Sequence, residues 1–390
     1  MSPDQESQVE SSIGLARRVV VKVGSAVLAQ RGVLEPARVA RLATDIGAAL
    51  SEDARRQIVL VSSGAVASGF RALGLARPPK IIADKQAAAA VGQPRLMAAY
   101  GAAFGGLQPA RTVAQVLLTA DDIDHRARFL NARHTLERLL QSGVIPIINE
   151  NDSVSFSEIK LGDNDRLSSL VASLVNADAL IILSSVAGVW GAHPMREAAR
   201  QPEIVPIIRS LREGLALVAP TKSETGTGGM GTKIGAACQA ASLGIGVVIA
   251  DGGEPGVVRR LLSGERLGTH FPPVARSHAA RRRWIGFAAR PKGTLMVDDG
   301  ARRAVVSRGA SLLPGGISGV KGEFAVGALV ELQVERGAPF ARGLVSYASA
   351  DINRIKGKKG SEIEGVLGFR YADEVIHRDD LVLLNDLESS

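Results

Sequence analysis

The stretch VVVKVGSAVL, residues 19–28, is a run of β-branched apolar residues interrupted by one lysine, Lys22, and closed by Gly24 and Ser25. It does not alternate apolar with polar residues. A strand that is apolar on both sides is covered on both sides, which is the condition of a parallel strand under helices. Comparable runs recur at 58–62, 112–117, 145–149, 179–184 and 246–250, with longer Ala- and Leu-rich stretches of helical spacing between them. The pattern predicts an α/β fold, a mainly parallel sheet sandwiched by helices.

Past residue 269 the texture changes. Residues 269–273 form a proline-containing break, and Arg281, Arg282 and Arg283 follow. Short strand-like pieces at 293–297, 303–307, 329–334 and 343–347, separated by glycine-rich turns, predict a small β-rich domain. The division expected is a polar tail over 1–16, the α/β domain over 17–272, a linker over 273–290, the β-rich domain over 291–380 and a tail over 381–390. A chain of 390 residues suits two domains.

The net charge of +8 is unevenly spread: +4 over residues 1–274, +10 over 275–359 and −6 over 360–390. A late basic block is the footprint of a nucleic-acid-binding module or of a solvated basic surface. Cys238 is the one cysteine, which excludes an intramolecular disulfide and a multi-cysteine zinc site. No apolar run approaches the roughly 20 residues of a membrane span. The polar, acidic start MSPDQESQVESS is unlike a secretory signal, so a soluble cytoplasmic protein is expected.

In an open α/β sheet, ligands sit beyond the carboxyl ends of the strands. Lys22 and Gly24 stand at the first such end, where small residues let a phosphate reach backbone N–H groups and lysine supplies charge. Ser62, Ser63 and Gly64 follow the second run; an N-capping serine is the plain alternative there. TGTGGMGTK, residues 225–233, opens an alanine-rich helix. No strand leads into it and Thr232 and Lys233 close it, so it fits neither the dinucleotide nor the Walker pattern. Four glycines in nine residues are costly to order, which favours ligand binding. Between these loops lie Asn149, Glu150, Asn151 and Asp152, then Gly162, Asp163, Asn164 and Asp165. Carboxylates gathered at strand and helix ends repel one another unless a cation or cationic ligand joins them. Asp165 as a helix N-cap and Asp152 as a turn residue are the structural alternatives. Together with the lysine-bearing glycine loops, the set reads as a site for phosphate and an amino group.

KVGSAVL, SSGAVASG, VGQPRLM, RFLNARHTL, NENDSV, KLGDND and GTGGMGTK, in this order, resemble the glutamate 5-kinases of the amino acid kinase superfamily. GASLLPGGISGVKGEF is similar to the signature of a PUA domain. The resemblance runs from about Arg17 to Asp380, making 17–272 the amino acid kinase domain and 291–380 the PUA domain. It implies ATP-dependent phosphorylation of the L-glutamate side-chain carboxylate to γ-glutamyl phosphate, the first step of proline biosynthesis, with Mg²⁺ on the ATP phosphates. By motif, Lys22 and Lys233 act on the transferred phosphoryl group and Asp165 orients them. Ser63, Asp152 and Asn164 hold glutamate. Lys22, Ser184, Ser185, Thr227, Gly228, Gly229, Met230, Gly231, Thr232 and Lys233 hold ATP. No metal-ligating residue is assigned. The resemblance further implies homo-oligomers, feedback by proline and transfer of the product to a downstream reductase.

The chain departs from the family where Ser184 and Ser185 replace a usual Thr-Asp, where 188–194 read GVWGAHP, and where Ala26 ends the first motif. The first two fall on the nucleotide side. Two alternatives stand beside this reading: another amino acid kinase of the same fold, or an RNA-binding protein acting through its basic C-terminal block.

Overall fold

Residue by residue, the first apolar run becomes the middle of a sheet. The structure, a computed structural model, describes residues 13–124, 126–154, 163–191, 203–217, 229–274, 291–335 and 337–384. Seven strands form the larger sheet: β1 Arg18–Val23, β2 Gln57–Ser62, β3 Val113–Leu118, β4 Ile145–Glu150, β5 Ala179–Ser184, β6 Gly246–Asp251 and β7 Thr269–Phe271. Their order is β3-β4-β2-β1-β5-β6-β7. β1 pairs in parallel with β2 on one side and β5 on the other, Val19 lying opposite Ile58 and Ala179. β5 is buried along its whole length, as an apolar run without alternation requires.

The last strand departs from the sequence reading. Residues 269–273 look like a break because of their prolines, yet Thr269–Phe271 pairs antiparallel with β6. Three residues ahead of the prolines suffice for an edge strand, so the sheet is parallel except at that edge.

The main helices from Pro36 to Leu262 are α1 Pro36–Glu52, α2 Ile82–Gly105, α3 Arg126–Gln141, α4 Asp163–Leu174, α5 Met230–Ser242 and α6 Val257–Leu262. Proline opens α1, where its missing N–H costs nothing. Val39, Leu42, Ala43, Ile46, Ala49 and Leu50 recur at three- and four-residue intervals and form its buried face. A fully buried side chain such as Ile46 is worth about 1.5–3 kcal/mol of transfer free energy. α2 makes a closer contact. A Cβ on Gly92 would stand 1.8 Å from the carbonyl oxygen of Ala65, and one on Gly69 would stand 1.9 Å from that of Ala88. Glycine at both positions therefore lets α2 meet the short helix Ala65–Gly69 backbone to backbone.

The second unit holds a five-stranded sheet of β8 Gly293–Val297, β9 Ile317–Lys321, β10 Leu329–Val334, β11 Ala341–Leu344 and β12 Leu381–Leu383, in the order β9-β8-β10-β11-β12. Leu295, Val330, Leu332, Tyr347, Ile352 and Ile376 are among its core residues. Two sequence expectations fail here. Residues 303–307 are not a strand but lie in the helix Asp299–Arg308. The Asp298 side chain caps that helix by accepting from the Ala301 N–H, and Gly309, at φ 58°, ends it. Leu381–Leu383, expected in a tail, is the edge strand β12. Its apolar triplet is too short to announce itself without its partner.

The two compact units comprise Met1–Ala120 with Leu136–Arg276, and Asp121–Thr135 with Ser277–Ser390. Asp121–Thr135, which the sequence reading places within 17–272, thus groups with the later part of the chain. The reason is visible at Arg133. Its guanidinium lies 3.0 Å from the Asp380 carboxylate, and both side chains are buried. The expected linker over 273–290 lies almost wholly outside the described residues.

Candidate active site

β1 sits where the chain reverses its direction of travel across the sheet, first toward β2 and later toward β5. Such a switch point opens a crevice at the carboxyl ends of the strands. Every sequence-derived site residue that the structure describes lies at this end or on a helix that starts there.

Lys22 occupies the penultimate position of β1 and is 4 % exposed. Its Nζ lies 2.5 Å from Oδ1 of Asp165. Lys233, in the first turn of α5 and 9 % exposed, places its Nζ 3.2 Å from Oδ2 of the same carboxylate. The Thr232 hydroxyl donates to that oxygen as well, at 3.0 Å. Asp165, 1 % exposed, is therefore a bridge between two strand-to-helix segments more than two hundred residues apart. It stands inside α4, so the alternative reading of Asp165 as an N-cap is excluded.

The electrostatics follow from burial and count. Burial pulls the Lys22 ammonium below the ordinary lysine range; Lys233 adds to the effect and Asp165 opposes it. Burial alone would raise the Asp165 carboxyl, but the two lysines and the Thr232 hydrogen bond outweigh it and hold the group below the ordinary carboxylate range. Two ammonium groups converge on one carboxylate in a region of low dielectric, and an anion such as a phosphate is the natural complement of that pair of cations.

The surroundings of this pair are open to such an anion. Gly24 has an ordinary β-region backbone, and a Cβ there would meet protein atoms only at 3.5 Å or beyond, one of them Nζ of Lys22. Among the described residues, no side chain caps α5, whose N-cap is Gly229, and nothing lies within 4 Å of a Cβ built on that glycine. First-turn N–H groups left without a side-chain partner are suited to phosphate oxygens. Gly229, Met230, Gly231 and Thr232 belong to this start, whereas Thr227 and Gly228 lie outside the described residues. Ser184 is buried at the end of β5 and Ser185 beyond it is exposed.

A second cluster adjoins the end of β2. The Asn164 Nδ2 donates to Ser63 Oγ at 2.9 Å and to Asn149 Oδ1 at 3.1 Å, with the Ser62 carbonyl at 3.5 Å. Asn164 Oδ1 is buried and has no hydrogen-bond partner among the described residues. An acceptor in that condition costs about 1–3 kcal/mol unless a donor arrives. Gly64, at φ +113°, makes the sharp turn that presents Ser63 and starts the helix Ala65–Gly69. Asp152 lies in a turn just past β4, half-buried. The Asn151 N–H in this turn donates to the Leu118 carbonyl at the end of β3.

The sequence reading assigns glutamate to Ser63 and Asn164 and places Asn149 in the polar set without a role of its own; in the structure Asn149 orients the Asn164 amide. Among the described residues no group of three or more His, Cys, Asp or Glu side chains could hold a metal ion, and both oxygens of Asp165 are committed to lysines and a hydroxyl. No helix among the described residues is long and apolar enough to cross a membrane.

Comparison with known proteins agrees with this geometry. The model of the amino acid kinase family matches residues 17–251, and that of the PUA domain matches residues 293–367. The chain is 48 % identical over 370 residues to a glutamate 5-kinase of Myxococcus xanthus, covering 95 % of this chain and 97 % of that protein. It is 48 % identical over 369 residues to a glutamate 5-kinase of Syntrophotalea carbinolica, covering 94 % and 97 %. A glutamate 5-kinase of Trichlorobacter lovleyi is 46 % identical over 370 residues, with 94 % and 97 % covered.

Proposed function

Since this chain belongs to the amino acid kinase family and groups within it with the glutamate 5-kinases, we propose that its site transfers the γ-phosphoryl group of ATP to the side-chain carboxylate of L-glutamate. The observation that carries the proposal is the buried carboxylate of Asp165 held between Lys22 and Lys233. A side-chain carboxylate with a pKa near 4.3 is already ionised at neutral pH, so the reaction needs no general base. Its oxygen attacks the γ-phosphorus while the bond to the β–γ bridging oxygen breaks, giving the acyl phosphate and ADP. The obstacle is the approach of one anion to another. Catalysis then consists of in-line positioning and neutralisation of charge on the phosphoryl oxygens.

Lys22 and Lys233 supply that neutralisation, and Asp165 holds both ammonium groups on one locus. Thr232 reinforces Asp165, and the uncapped start of α5, with Thr227, Gly228, Gly229, Met230 and Gly231, takes the triphosphate. Ser184 and Ser185 stand on the nucleotide side at the end of β5. Mg²⁺ enters with ATP and reduces the charge of the triphosphate. On the acceptor side, the unpartnered oxygen of Asn164 and the carboxylate of Asp152 receive the α-ammonium of glutamate, and Ser63 lines its approach. An amide and one carboxylate attract an ammonium group without placing further negative charge beside the reacting carboxylate.

Incubation with MgATP, glutamate and hydroxylamine tests the proposal directly. Glutamate-dependent formation of the γ-hydroxamate with stoichiometric ADP is expected. ADP formation at the same rate without glutamate, or preferential hydroxamate formation from aspartate or acetylglutamate, would replace the acceptor.

A further inference from the structure

Gln93 is 9 % exposed, and its Nε2 is buried without a hydrogen-bond partner among the described residues. Its Oε1 accepts from Gln115 Nε2 at 3.5 Å. The phosphoryl-transfer chemistry uses neither residue. A buried primary amide with an unmatched donor is as costly as the unmatched acceptor on Asn164, and such groups call for an explanation.

Strand register says where this donor lies. Gln115 of β3 pairs with Ile147 of β4, and Ile147 pairs with Leu60 of β2. Side chains two apart on a strand share a face, so Gln115, Ile147, Asn149, Leu60 and Ser62 all project from the face that α2 covers. Tyr100 of α2 confirms that face by its 2.8 Å hydrogen bond to Ser62 Oγ. One turn nearer the start of α2, Leu96 lies 3.8 Å from a Cβ built on Gly64. A further turn back, Gly92 touches the Ala65 backbone. Gln93 is the neighbour of Gly92. Through Gln115 its side chain lies over the third residues of β3 and β4, on the sheet face that carries Asn149 and two residues short of it.

An unmatched donor on one sheet face and an unmatched acceptor hydrogen-bonded to Asn149 of that face suit a ligand that carries both an anionic and a cationic group. Resting on the acceptor proposed above, the assignment of glutamate's charges is constrained. Its γ-carboxylate must face the lysines, and its α-ammonium takes Asn164 and Asp152. The α-carboxylate is left, and it needs donors. We infer that Gln93 is a specificity-determining residue whose amide N–H recognises the α-carboxylate of the amino acid substrate, with Gln115 holding the amide in place by its other end.

The test compares L-glutamate with 4-aminobutanoate, which lacks only the α-carboxylate, in the full-length enzyme with MgATP and hydroxylamine. Gln93→Met keeps the length of the side chain and removes the donor. It should lower kcat/KM for glutamate about 10- to 100-fold, the worth of a hydrogen bond to a charged group. The effect should appear in KM for glutamate, with KM for ATP unchanged and the value for 4-aminobutanoate within about threefold of the parent's. Gln93→Glu, which opposes a carboxylate to the substrate's own, should reject glutamate more strongly while accepting its α-amide, which can donate in return. A role in packing alone would weaken all three acceptors together, and that result in both variants overturns the inference. If the parent enzyme does not phosphorylate glutamate at all, the acceptor proposal fails first. If it does and the glutamate preference survives in both variants, only the role of Gln93 fails.

Discussion

Two buried ionic clusters among the described residues are built on different terms. In the second unit, the Arg133 guanidinium meets the Asp380 carboxylate. At the end of β1, two lysines share one aspartate. Opposite charges met one against one offset part of each other's desolvation, whereas two ammonium groups converging on one carboxylate also attract an anion. The first arrangement serves the fold. The second leaves part of its stabilisation to be supplied by a bound anion, which is how a site for a triphosphate differs from a structural ion pair.

The sharpest way to break this contrast is at Asp380. Asp380→Ala should lower stability by about 3–5 kcal/mol, the usual cost of removing one member of a buried pair. Denaturant unfolding monitored in the second unit would read it. Replacing both partners with apolar residues, Arg133→Met with Asp380→Leu, should recover most of the loss. Full stability of the single variant would show that the pair is not a structural lock.

Next in size comes the cluster. Lys22→Ala and Lys233→Ala should each lower kcat by about 10²-fold or more, the scale seen when one donor to a developing anion is removed, with little change in KM for glutamate. Here no apolar double replacement should restore turnover. A folded Lys233→Ala protein with normal kcat would remove that lysine from the phosphoryl group. A smaller effect is expected from Asp152→Asn, which should raise KM for glutamate about tenfold through its α-ammonium while sparing KM for ATP. Equal weakening of both substrates would move Asp152 to the nucleotide side.

The smallest signal is in pH. Because Lys22 is held below the ordinary lysine range, the alkaline limb of the kcat/KM profile should fall below that of a solvent-exposed lysine. Asp165→Asn removes the one group opposing the shift and should move the limb lower still. For stability the sign at Asp165 is opposite. Its depressed carboxyl contributes stability that is present above its unfolded value of about 3.9 and is lost as pH falls through the lower folded value. Profiles of the parent and Asp165→Asn proteins superimposing at both ends would mean that the cluster is not electrostatically coupled.

How much of this was legible in the sequence depends on whether the signal was local. β1, β2, β5 and β8 could be read to within a residue because a buried strand writes its burial into consecutive side chains. β7 and β12 are three residues each and owe their existence to the strand they join. The helix at Asp299–Arg308 buries only Val305, so its apolar residues carried no helical stripe, and its Asp298 cap was the better clue. Charge made Lys22, Asp165 and Lys233 conspicuous. Asn149 and Gln93 were not, because a neutral amide declares its role only through what its two ends touch. The assignment of Asp121–Thr135 to the second unit could not be read locally either, since Asp380 lies 247 residues beyond Arg133.

The central place of β1 has a consequence for how the chain is born. β1 is the first strand made, and β2 reaches it after a few dozen residues, but its other edge stays unpaired until β5 emerges. At a synthesis rate of about 5–20 residues per second, that edge waits on the order of 10–30 s. Throughout that interval an apolar strand with open N–H and C=O groups is exposed to any neighbouring chain. Slowed translation between β2 and β5 should therefore lengthen the period in which the nascent protein aggregates or recruits a chaperone, with no change to a single residue of the finished enzyme.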